Sequence, residues 1–271
     1  MLSRSQLAPV PGAVDRGTLR RLLADGLAGR VRFGHAVSSV ASVGRADLIV
    51  AADGAGSTLR RELLPEAGPR DLGLSAIFGR SPLTAANRGW TAPVILNSRF
   101  CGVADGGTVL ALGGYDPPAP PAETTTAPYV MWVLMGPADE FPAPGADPAE
   151  LVRFAGWRTS GWDSRANSVL REAVVADSFL TSLRSMREIP EIPVRAGVPV
   201  AFLGDAIHAM SPAGGEGANT AFGDAALLVS QLRIGGTVAD VVARYHAGLR
   251  STAGEALHRS ANYSLKELSR V

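Results

Sequence analysis

The stretch GDAIHAMSPAGGEGAN, from Gly204 to Asn219, sets a carboxylate, a histidine, a proline and a run of glycines between an apolar segment and a helical one. Each residue type has a chemical use in that order. The preceding VPVAFLGD reads as a buried strand. Asp205 therefore stands at a strand's carboxyl end, where ligands of open α/β sheets sit, with Gly204 permitting the sharp exit. Its carboxylate is an acceptor suited to the paired hydroxyls of a ribose or ribityl chain. The loop through Gly214, Gly215 and Gly217 can bring bare main chain close to a ligand. The helix that opens with Ala218 and Asn219 aims unpaired N–H groups and its positive dipole end back at that loop. Such a terminus suits a phosphate, or a group that develops negative charge. Pro212 fixes the entry to the loop and offers a flat apolar face. His208 is a candidate for proton transfer, with a turn-stabilising hydrogen bond as the competing role.

The elements that must position these residues lie at both ends of the chain. ADLIVAADGAGSTLRREL, residues 46–63, reads as a strand, a tight turn at Asp53 and Gly54, and a helix start. DRGTLRRLLADGLAG carries leucines at 19, 22, 23 and 27, which is helical spacing, with Asp15 as N-cap and Gly29 as the stop. VRFGHAVSSVASV alternates weakly and is expected to form short strands. VADVVARYHAGLRSTAGEALHRSANYSL, residues 238–265, reads as one or two amphipathic helices that close the chain. The middle differs in texture. APVILNSRF, GTVLALGGY and YVMWVLMG are strand candidates separated by turn residues, which predicts an antiparallel sheet. PPAPPAETTTAP reads as a solvated loop, and AELVRFAGW and SVLREAVVAD as helices. Trp90, Phe100, Met131, Trp132 and Met135 in this block are candidates to line an aromatic pocket, with ordinary core packing as the alternative. The expected organisation is an α/β fold in three stretches: 1–71 and 191–271 as one nucleotide-type domain, and 72–190 as an inserted strand-rich domain.

Composition removes several function classes. Of 271 residues, 46% are hydrophobic and 19% charged, enough apolar material for a sizeable core. A net charge of +1 offers no basic field for nucleic acid or a membrane surface. Cys101 is the single cysteine, so no intramolecular disulfide or cysteine cluster forms. The four histidines lack zinc-ligand spacing, and no metal is expected. Neither a signal peptide nor a run of roughly 20 apolar residues is present, and a cytoplasmic location is expected.

FLGDAIHAMSPAGGEGANTAFGDAALL resembles the second FAD-binding motif of the FAD-dependent monooxygenases built like para-hydroxybenzoate hydroxylase. DLIVAADGAGSTLR resembles the Asp-Gly motif of the same family, with Asp53, Gly54, Ser57 and Arg60 in place, and DRGTLRRLL resembles the helix that carries an arginine near the FAD, here Arg16. The resemblance implies that Asp205 holds FAD hydroxyls, that Pro212 lies near the flavin ring, and that main chain from Gly214 to Asn219 faces the flavin N1 and O2 edge. Asp53 and Gly54 would lie near the diphosphate or the path of NADPH or NADH, and Arg16 would supply positive charge. The implied activity is a monooxygenase that uses molecular oxygen and a flavin C4a-hydroperoxide to hydroxylate or epoxidise an aromatic or polyketide-like small molecule. The family opens with a complete G-x-G-x-x-G turn, whereas GAGSTL and GEGANT here each lack the third glycine. The expectation is thus an incomplete Rossmann-like FAD-binding domain lacking the N-terminal βαβ unit, with an inserted antiparallel-sheet substrate domain. A complementing chain or a homodimer would supply the missing part. The alternative is a non-catalytic relative or partner subunit that binds FAD weakly.

Overall fold

A computed structural model describes residues 14–91, 101–117, 126–193 and 197–262. The chain begins with α1 (Arg16–Ala24), β1 (Ile49–Ala51), α2 (Thr58–Leu63), β2 (Arg70–Pro82) and α3 (Ala85–Thr91). It continues through β3 (Cys101–Asp105), β4 (Thr108–Tyr115), β5 (Tyr129–Pro137), α4 (Pro148–Arg158) and α5 (Ser164–Arg171). It ends with β6 (Phe179–Ser185), β7 (Val200–Phe202), α6 (Asp205–His208), α7 (Gly217–Ile234) and α8 (Val238–Asn262). The elements gather into two compact units, one of residues 14–33 and 75–181, the other of 34–74 and 182–262. The chain passes from one unit to the other after Phe33, within β2 and within β6.

The first unit is built on a sheet of order β3-β4-β5-β2-β6. Strands β3, β4 and β5 form an antiparallel meander, with Leu112 opposite Trp132 and Leu110 opposite Leu134. One face of this sheet packs under α4 and α5: Ile77, Leu110, Leu112, Val130, Trp132 and Leu134 join Leu151, Ala155, Val169 and Leu170 in a single core. Gly79 is obligatory there, since a Cβ would lie 2.1 Å from Cζ2 of the fully buried Trp132. Trp132 is therefore core, as the packing alternative had it, while Met131 points to the other face. APVILNSRF, with Phe100, and most of the Pro/Thr loop fall outside the described residues. Asp15 caps α1 as its position suggested, accepting from the Thr18 amide at 2.8 Å. The helix stops at Ala24, short of Gly29, because turns at Gly26 and Gly29 with positive φ follow.

The second unit holds the parallel pair β1-β7 in the register Ile49↔Val200, Val50↔Ala201, Ala51↔Phe202. Its core unites that pair with Leu59, Ile207, Leu228 and the buried face of α8, from Val241 and Val242 through Tyr245 and Leu249 to Leu257. Over its described residues, the terminal helical pattern forms one 25-residue helix. The expected strands over 31–43 are absent. Ser39 and Ser42 instead exchange side-chain and backbone hydrogen bonds around a single 3₁₀ turn, Val40–Val43, and this local serine bonding competes successfully with a ladder. No described helix is long and apolar enough to cross a membrane, and no described group of acidic, histidine or cysteine side chains could hold a metal ion.

Candidate functional site

Parallel pairing of β1 and β7 sends two loops out from adjacent carboxyl ends. Beyond β1 come Asp53 and Gly54; beyond β7 come Gly204 and Asp205. The sequence reading placed both motifs at strand ends, and the register sets them side by side. Gly204 is fixed on two counts: its φ is +63°, and an added Cβ would lie 3.1 Å from that of Ala221 on α7. The turn it makes is held from below. The Gly204 amide donates to Asp224 Oδ2 at 2.9 Å, and His208 Nε2 lies 2.6 Å from the same oxygen. Asp224 and His208 are 2% and 0% exposed. His208 thus sits beneath the loop with the geometry of the turn-stabilising role.

The end of β7 is held by α8. The Tyr245 hydroxyl donates to the Phe202 carbonyl at 2.7 Å, and His246 Nε2 accepts from the Phe202 amide at 3.4 Å. These two side chains occupy both outward backbone groups of Phe202, so a further strand cannot pair with β7 at that residue. Burial holds the His246 imidazole down, at about 4, with Arg250 adding to the effect. Burial, with the Asp224 charge nearby, pushes the Tyr245 hydroxyl up.

Arg60 connects the two loops. Its buried guanidinium donates to the carbonyls of Ala55 at 2.7 Å, Ala67 at 3.1 Å and Ala206 at 2.9 Å, so one side chain reaches the β1 loop, the segment after α2, and α6. Burial, with Arg61 adding, draws its pKa below the ordinary value. Ser57, fully buried, caps α2 by accepting from the Arg60 amide at 3.0 Å. Asp53 accepts from the Thr58 amide at 2.9 Å. Burial opposes its ionisation, but hydrogen bonds from Ser57 and Thr58 outweigh that and hold the carboxyl below its ordinary range. Asp53 is therefore spent largely on shaping its own turn.

Asp205 differs. It is exposed, and it makes no hydrogen bond or ion pair among the described residues. Beyond it the glycine loop is tied down at its base: the Met186 amide donates to the Ala209 carbonyl at 2.7 Å, and Ser260 Oγ to the Ser211 carbonyl at 2.9 Å. The Gly215 amide closes a turn on Pro212. Pro212, Gly215, Ala218 and Asn219 are exposed, while Gly54, Gly214 and Gly217 are half-buried. Thr220 is the first residue of α7 whose amide finds a helical carbonyl, on Glu216, so the amides of Gly217, Ala218 and Asn219 form the open first turn of an 18-residue helix. Glu216, which would oppose an anion there, is paired with Arg259 at 3.2 Å. Arg16 lies exposed on α1, in the other unit.

An acceptor without an internal partner, a glycine turn and an open row of amides together suit a ligand with hydroxyls at one point and negative charge at another. An FAD-binding domain family matches residues 157–260 of the chain. Dual O-methyltransferase/FAD-dependent monooxygenase elcB of Phaeosphaeria nodorum is 26% identical over 263 residues, covering 79% of this chain and 28% of that protein. The corresponding dual enzyme CTB3 of Cercospora beticola is 25% identical over 303 residues, covering 91% of this chain and 33% of its own. Over part of their length, the chain is similar to these FAD-dependent monooxygenases. It spans about a third or less of the length of those curated relatives. A solved Photorhabdus luminescens protein assigned to the FAD-containing monooxygenases superposes on this chain with a TM-score of 0.75 at 25% identity, covering 95% of this chain and 73% of that one. Klebsiella pneumoniae HpxO, solved with FAD and uric acid, shares the fold at 20% identity and a TM-score of 0.63, covering 83% of this chain and 56% of its own.

Asp224, Tyr245 and His246 escaped the sequence reading. Their only signal was polarity on otherwise apolar helical faces: Asp224 within AFGDAALL, and the Tyr-His pair within VVARYHAGL.

Proposed function

We propose that the chain binds FAD through the loops beyond β1 and β7 and acts as an NADPH- or NADH-driven monooxygenase on an aromatic or polyketide-like small molecule in the cytoplasm. The observation that carries this reading is Asp205. It is an exposed carboxylate without an internal partner, on a loop that the Asp224, His208 and Arg60 contacts hold in place. The donor set fits the cofactor: Asp205 would accept from ribityl or ribose hydroxyls, and the amides of Gly217, Ala218 and Asn219 would face the edge that turns negative on reduction. FAD, when bound and reduced, supplies the oxygen-activating chemistry. The chain's own work is binding and orientation. Pro212 would present a rigid apolar surface to the ring, and Gly214, Gly215 and Gly217 would let main chain approach it. Asp53 and Gly54 would border the diphosphate or the nicotinamide donor.

Titration of the purified chain with FAD, followed by visible absorption, tests this. A saturable, perturbed flavin spectrum that is lost in Asp205→Ala supports the reading. Because Asp205 is exposed and unpaired, the variant should keep the wild-type melting temperature. An unchanged flavin affinity in Asp205→Ala would overturn the assignment of that carboxylate.

A second reading is favoured by one observation. Val50 is 45% exposed on β1, whose edge away from β7 has no strand among the described residues. Phe222, Val229 and Leu232 on α7 are also each about 45% exposed. A complementing polypeptide, from another chain or a second copy, would cover such surfaces and raise FAD affinity. In that case FAD binds the isolated chain weakly and tightens on complementation.

A further inference from the structure

We propose that the sheet face bearing Arg80, Tyr129 and Tyr115 is a substrate subsite, and that it selects an uncharged aromatic with adjacent hydroxyl or keto oxygens over an aromatic carboxylate. This rests on the monooxygenase reading and names the substrate class it would take. The register of β4 and β5 sets Tyr115 opposite Tyr129 and Gly113 opposite Met131. The alternating residues Leu112, Val130 and Trp132 are in the core beneath α4 and α5, so the tyrosines belong to the opposite face. On β2, Ile77 lies in that same core and Ser81 Oγ donates to the Val169 carbonyl of α5, which turns Phe78 and Arg80 to the tyrosine face. The side chains meet there. The Arg80 guanidinium carbon lies 5.7 Å from the centre of the Tyr129 ring, the Tyr115 and Tyr129 rings are 5.1 Å apart, and Phe78 stacks on Phe179 at 5.2 Å.

A guanidinium beside aromatic rings can stack on a planar ligand and donate to its oxygens. Arg80 spends only part of its fork: Nε donates to Asp177 Oδ2 at 2.7 Å, and its two terminal nitrogens make no hydrogen bond among the described residues. Its side chain is 44% exposed and that of Asp177 is 32% exposed, so a ligand can reach both. The charge balance decides what kind. Asp177 pairs with Arg80 directly, and the charge of Asp15 reaches it as well, while Asp15 itself is occupied by Thr18 and Thr126. One carboxylate is bonded to the guanidinium, and a second lies within electrostatic reach of it. An incoming carboxylate would meet a locally negative site, whereas a hydroxyl or keto oxygen accepts from Arg80 without that repulsion and a hydroxyl can donate to Asp177.

Catechol and salicylate differ chiefly in one hydroxyl exchanged for a carboxylate. Their binding to the full chain without flavin, by isothermal titration, is the test. Catechol is expected to bind about tenfold tighter than salicylate. Asp177→Asn should shrink that preference to about threefold or less, and Arg80→Met should weaken catechol by about tenfold or more. Arg80→Lys, which keeps the charge but loses the fork, should retain part of the catechol affinity if Arg80→Met fails to fold. Equal or tighter salicylate binding, a preference unmoved by Asp177→Asn, catechol binding that survives Arg80→Met or Arg80→Lys intact, or no binding of either compound would overturn the proposal. Flavin titration of the same samples is read separately, so failure of the FAD reading and failure of this subsite are distinguishable.

Discussion

Asp224→Ala removes one oxygen that serves two buried donors. In the native chain Oδ2 accepts from the Gly204 amide at 2.9 Å and lies 2.6 Å from His208 Nε2, and all three groups are buried. Each buried donor left without an acceptor costs about 1–3 kcal/mol, so two cost about 2–6 kcal/mol. Removing the carboxylate also recovers part of its own desolvation cost, which brings the expectation to about 2–5 kcal/mol, overlapping the usual range for breaking a buried pair. Asp224→Asn separates hydrogen bonding from charge. Its amide oxygen can sit where Oδ2 sits and accept both bonds, so it should cost about 1 kcal/mol or less. Urea unfolding of the three proteins, followed by circular dichroism, measures the difference, and flavin titration reads the effect on the loop. An Asn variant as unstable as the Ala variant would refute the shared-acceptor argument and put the weight on charge. An Ala variant within about 1 kcal/mol of wild type would refute the claim that this contact holds the loop.

Stability should also fall with acidity. His246 is held near about 4 when folded, below its ordinary 6.5, so the unfolded chain binds the extra proton first; stability is full above about 6.5 and is lost as pH drops toward about 4, by about 3 kcal/mol. His246→Gln should flatten that slope in pH-dependent urea melts. Tyr245→Phe leaves the Phe202 carbonyl without its partner and should cost about 1–3 kcal/mol by the same melts. Gly79→Ala drives a Cβ into Trp132 and should cost about 1–3 kcal/mol or more, with a shift in tryptophan emission.

What could be read from the sequence was local. Asp15 as a cap, the glycine turn at Gly54, and the order strand, Gly204, Asp205, Pro212, glycine loop, helix all depend on neighbours within a few residues, and each stands where its neighbours put it, though the short α6 within that order was not foreseen. β2 escaped because RDLGLSAIFGRSP mixes glycine, serine, arginine and proline with its apolar residues. Its alternation becomes plain only when Ile77, Gly79 and Ser81 are seen under α5 and Trp132. The supports of the site were invisible for a different reason. Asp224 reaches Gly204 across 20 residues, Tyr245 reaches Phe202 across 43, and Arg60 reaches Ala206 across 146. No periodicity records a bond between a helix side chain and a distant strand end. Aromatic residues left two readings open in the middle block, since the buried face of a sheet and a ligand-facing one have the same alternation. Trp132 and Met131 are neighbours in sequence and point to opposite sides.

Closing β7 with Tyr245 and His246 has a bearing on colloidal behaviour. An open strand edge recruits other strands, and proteins blunt such edges with charge, proline or covering elements. Here two adjacent helical side chains take the place of a covering strand at Phe202. A partly unfolded molecule that keeps β7 against α8 offers no pairing at that residue, and one that loses the contact exposes Phe202 together with the groups it was hiding. Conditions that protonate His246 would therefore be the ones to favour self-association. Light scattering against pH would then rise over the same interval in which the fold weakens.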